Sequence, residues 1–71
     1  MKKIDAYLTR KAAAVWPGAL VEDWDRTFLL QRAGRQAVIL SGEPTPLPKR
    51  FKAAKEALLQ AIAAEKATQQ P

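Results

Sequence analysis

The sequence predicts an α+β domain: an N-terminal helix, a two- or three-stranded antiparallel meander and a C-terminal helix. Three observations point there. Apolar residues recur at helical spacing at both ends of the chain. Between them lie short apolar runs, of which Phe28–Leu30 and Val38–Leu40 flank an Ala33-Gly34 turn signal. A proline-rich break then separates the strands from the last helix. Residues 1–67 are expected to form one domain, because 71 residues leave no room for a second.

The first helix is expected over residues 3–16. Ile4, Leu8, Ala12 and Val15 make one face, with Tyr7 and Trp16 at its margins, and Ala12-Ala13-Ala14 adds helix propensity. Pro17-Gly18 should end it, since proline disfavours helical geometry in the residue before it and glycine tolerates a left-handed turn. Leu20–Trp24 reads as a short first strand, joined to the next by the turn-favouring Asp23 and Asp25.

The hairpin Arg26–Leu40 is the most informative segment. If Ala33-Gly34 is a two-residue turn, the cross-strand pairs are Arg32 with Arg35, Gln31 with Gln36, Leu30 with Ala37, Leu29 with Val38 and Phe28 with Ile39. Both faces would then be apolar at the base and polar at the tip. The two facing arginines would repel each other and seek an anion, and Gln31 and Gln36 beside them could read base edges or a protein backbone.

Ser41–Pro48 carries Pro44, Pro46 and Pro48 in alternation and is expected to form an extended, polyproline-like spacer. The second helix should begin near Pro48, where proline costs no hydrogen bond. It should bury Phe51, Ala54, Leu58, Ala61 and Ile62 and end near Ala67. Residues 68–71 are expected to be a disordered tail, having nothing apolar to anchor them.

The formal net charge is +5, distributed as +3 over residues 1–16, −1 over 17–46 and +3 over 47–71. Such a field favours acidic partners. Lys49, Arg50, Lys52 and Lys55 crowd the start of the second helix, where the helix dipole is already positive. A docked anion would relieve that repulsion. The candidate contact residues are therefore Gln31, Arg32, Arg35, Gln36, Lys49, Arg50, Lys52 and Lys55. Trp24 joins them as a possible aromatic anchor.

No cofactor, metal site or catalytic residue is expected. The chain has no cysteine or histidine, and no nucleophile with a recognisable base. Glu22, Asp23 and Asp25 match no calcium-loop spacing. No apolar run approaches the ~20 residues needed to span a bilayer, and Asp5 interrupts the apolar core of a secretory signal. A cytoplasmic monomer follows from this reading.

In order of elements the chain resembles a double-stranded-RNA-binding domain, which also ends in a helix with a basic start. Its hairpin plus final helix is similar to the DNA-binding domains of some phage integrases. Both resemblances concern architecture alone, which does not assign function. Composition and pattern together lead to a small basic regulatory module that binds DNA or RNA, in transcription or a related process. The alternative is a phage- or plasmid-type modulator that docks on an acidic host protein such as RNA polymerase.

Overall fold

A computed structural model describes residues 3–69. The elements run β1 (Lys3–Ile4), α1 (Ala6–Ala13), β2 (Leu20–Asp23), β3 (Phe28–Gln31), β4 (Val38–Leu40) and α2 (Leu47–Gln69). The strands form one antiparallel sheet in the order β1-β2-β3-β4. Both helices contact this sheet and each other. The fold is thus α+β with a helix, an antiparallel meander and a C-terminal helix, but the sheet has four strands where two or three were expected, and a strand precedes the first helix.

The extra strand comes from Asp5. Its carboxylate accepts the Leu8 backbone N–H at 2.9 Å and its backbone is extended, so it caps α1 and excludes Ile4 from the helix. Ile4 lies instead opposite Glu22 on the sheet edge. Beyond β1, helix α1 covers that edge itself. The Asp5 N–H donates to the Val21 carbonyl at 2.9 Å, and the Val21 N–H donates to the Thr9 hydroxyl at 3.0 Å. The helix ends at Ala13, earlier than expected, but residues 14–19 stay in a tight turn. Trp16 N–H still reaches the Ala12 carbonyl at 2.8 Å, so Val15 and Trp16 remain buried.

The two hairpins differ in a way their residues explain. Between β2 and β3, Asp25 (φ 51°) and Arg26 (φ 66°) are both left-handed, and Trp24 N–H closes the turn on the Thr27 carbonyl at 2.9 Å. That is a two-residue connection matched to strand twist. At Ala33-Gly34 only Gly34 (φ 72°) is left-handed. A two-residue hairpin needs positive φ at the first central residue, which a Cβ-bearing alanine resists. The Arg32–Arg35 turn forms, with Arg35 N–H donating to the Arg32 carbonyl at 3.1 Å, but the strands rejoin one residue later. The register is Phe28 with Leu40, Leu29 with Ile39 and Leu30 with Val38.

That single-residue shift decides which side of β4 is buried. Phe28, Leu30 and Val21 face the helices, with Val38 and Leu40 beside them, while Leu29, Ile39 and Glu22 face away. The core joins Leu8, Ala12, Val15, Trp16 and Ala19 to Val21, Phe28 and Leu30 of the sheet and to Ala54, Leu58 and Ile62 of α2. Phe51 is not part of it: its side is 42% exposed, although its ring lies 5.2 Å from that of Phe28.

Residues 41–46 do not form an extended spacer. Thr45 N–H donates to the Gly42 carbonyl at 3.0 Å, and the Glu43–Pro44 peptide is cis. Gly42 packs so closely on α2 that a Cβ there would lie 2.5 Å from the Arg50 carbonyl oxygen. Helix α2 continues through Thr68 and Gln69. The Thr68 hydroxyl donates to the Glu65 carbonyl at 2.8 Å, and the Gln69 amide donates to the Val15 carbonyl. Gln70 and Pro71, the rest of the expected tail, lie outside the described residues. Among the described residues no helix is long and apolar enough to cross a membrane.

Candidate functional site

The two basic clusters expected from sequence sit at opposite ends of β3. Phe51, in the first turns of α2, stacks on Phe28 at the start of that strand, and Arg26 donates to the Leu47 carbonyl at 2.9 Å. The Arg32–Gln36 tip lies beyond Gln31 at the other end. A four-residue strand spans about 13 Å, so the clusters do not merge into one patch.

At the tip, Arg32 and Arg35 are not cross-strand partners. Arg32 is half-buried, its guanidinium lies 5.3 Å from the centre of the Trp16 ring, and it donates to the Gln36 carbonyl at 3.3 Å. This geometry locks the tip onto the core. Arg35 and Gln36 are exposed. Gln31 turns to the outer sheet face, where it and the Trp24 indole (3.2 Å) both donate to the Glu22 carboxylate.

At the start of α2, Arg50 donates to the Thr45 carbonyl at 3.2 Å and lies 3.7 Å from the Glu43 carboxylate. It ties the preceding turn to the helix. Lys49, Lys52 and Lys55 are exposed. Lys55 meets a second element: its ammonium lies 5.8 Å from the centre of the Tyr7 ring on α1. The Lys11 ammonium lies 5.6 Å from the same ring.

Tyr7 is therefore the point where the charges of both helices converge, and the residue is 49% exposed. Beside it runs an open groove of about 670 Å³ between α1 and α2. Val15, Leu59, Ile62 and Ala63 give it an apolar floor; Lys11, Lys66 and Gln69 give it a polar rim, and none of its lining residues is acidic. Sequence reasoning had not brought Tyr7, Lys11, Leu59 and Lys66 together. The signal was present as Tyr7 and Lys11 at i, i+4 and as Lys55, Leu59, Ala63 and Lys66 at successive steps of four, four and three.

Among the described residues no helix covers the opposite side of the sheet. Ile4 (56% exposed) and Ile39 (61% exposed) flank the half-buried Leu29 and Glu22 there. This face is aliphatic with a central carboxylate, unsuited to phosphate. Among the described residues no group of three or more potential ligands is placed to hold a metal ion. No protein-family model matches the chain, and no curated protein or solved structure is significantly similar to it.

Proposed function

We propose that the protein is a small, non-enzymatic regulatory module that binds nucleic acid in the cytoplasm, in transcription or a related process, through its helical face. The observation that carries this reading is the convergence of Lys11 and Lys55, from separate helices, on the half-exposed Tyr7 ring. Ammonium groups neutralise phosphates, and an exposed ring offers a surface to a base. The exposed Arg10, Lys52 and Lys66 extend the same cationic field along both helices, and the +5 net charge steers a polyanion towards it.

Charge reversal tests this. Lys11→Glu with Lys55→Glu should weaken binding to many sequences alike. It should also flatten the dependence of log affinity on log salt by about 0.7–0.9 per lost phosphate contact. Arg35→Glu, in the hairpin tip and not on either helix, should do less. Absence of any DNA or RNA shift in a low-salt gel, with the fold verified by circular dichroism, refutes the proposal.

A second reading is supported by the open sheet face. Exposed aliphatic area rimmed by polar groups suits a protein contact, so a modulator docking on a host protein such as RNA polymerase would use Ile4, Leu29 and Ile39 with Trp24 as anchor. Trp24→Ala would then raise the dissociation rate, and salt would act chiefly on association.

A further inference from the structure

The groove between α1 and α2 distinguishes one form of nucleic acid from another. Building on the proposed nucleic-acid reading, the geometry points to single-stranded DNA or RNA as the ligand, with unpaired bases lying on the apolar floor and phosphates along the lysine rim. A duplex presents phosphates outward and keeps its base faces stacked inside. It would use the lysines but leave the floor of Leu59, Ile62 and Ala63 empty. A single strand offers both chemistries at once: charge to Lys11, Lys55 and Lys66, and a π-face to Tyr7 and its apolar neighbours.

The dimensions agree. Lys55 and Lys66 are eleven residues apart on one helix, about 16 Å at the helical rise. That is the length of at most about five nucleotides, counted at the 3.4 Å rise of a stacked strand, and of fewer where bases leave the stack to lie on the floor. The two ammonium groups now over Tyr7 are no obstacle. An exposed cation–π contact is weaker than base stacking, and lysine side chains are long enough to swing from the ring to the flanking phosphates. Gln69, held to the Val15 carbonyl, closes the far end of the groove.

The test is fluorescence anisotropy with the full chain. The probes are a labelled oligothymidylate and a duplex, each about 12 nucleotides long, and a labelled acidic amphipathic peptide. The expected result is tighter binding of oligothymidylate than of duplex. Tyr7→Leu should weaken the single strand about 5- to 150-fold and leave the duplex nearly unchanged, while Tyr7→Phe binds like the parent. Lys66→Gln should lower the single-strand salt slope by about 0.7. Equal or tighter duplex binding overturns the inference while leaving the nucleic-acid reading intact, as does a Tyr7→Leu variant with undiminished single-strand affinity. Binding of the acidic peptide alone overturns both. So does the absence of binding to either nucleic acid.

Discussion

Phe28 and Phe51 touch each other, yet they should contribute very differently to stability. Phe28 is fully buried, so Phe28→Ala should cost about 3–5 kcal/mol, the range for emptying a buried aromatic site. Phe51 is 42% exposed. A little over half of a ring's burial corresponds to about 1–2 kcal/mol, and the tilted pair, at 5.2 Å and 53°, adds about 0.5–1.5 kcal/mol. Phe51→Ala should therefore cost about 1.5–3.5 kcal/mol in total. At the 4–8 °C per kcal/mol typical of so small a domain, it lowers the melting temperature by roughly 6–28 °C. Phe28→Ala should remove much of the total stability, which for 71 residues is about 4–11 kcal/mol. Urea unfolding followed by circular dichroism measures both. The double variant should cost less than the sum of the singles by about 0.5–1.5 kcal/mol, since the ring pair is lost only once. Equal costs for the two single variants, or strict additivity, would refute this account of the sheet-to-α2 contact.

Two further substitutions test the backbone and the register. Gly42 and Gly34 both have positive φ, but only Gly42 lies against α2. Gly34→Ala should cost about 1–2 kcal/mol from conformation alone, and Gly42→Ala clearly more; equal melting temperatures would contradict the close approach. Ile39→Thr, on the outer face, should change stability by at most about 0.5 kcal/mol, whereas Leu40→Thr, beside Phe28, should cost more than about 1 kcal/mol. The reverse order would restore the register of a two-residue turn.

The helical stripe of α2 at Ala54, Leu58 and Ile62 was legible because its period is unambiguous, and so was the α+β order of elements. The departures each trace to one residue whose local chemistry outweighed the hydrophobic pattern. Asp5, as a cap, removed Ile4 from the apparent stripe of α1 and left it to pair with β2. Ala33 refused the left-handed geometry that the Ala33-Gly34 pair had suggested, which shifted β4 and left Arg32 and Arg35 as turn residues outside the strand ladder. Gly42 drew the proline-rich segment down onto α2. The candidate site was harder to read for a different reason. Tyr7 and Lys11 meet Lys55 and Lys66 only because two helices far apart in sequence pack on the same sheet face, and no local pattern encodes that pairing.

Chemical-shift mapping of the uniformly labelled protein, titrated with single-stranded oligonucleotide, tests the central claim most directly. The account predicts saturable shifts concentrated at Tyr7, Lys11, Leu59, Ala63 and Lys66, with the outer sheet face at Ile4, Leu29 and Ile39 unmoved. Shifts concentrated on that outer face or at the Arg32–Gln36 tip, or no shifts at low salt, would contradict it.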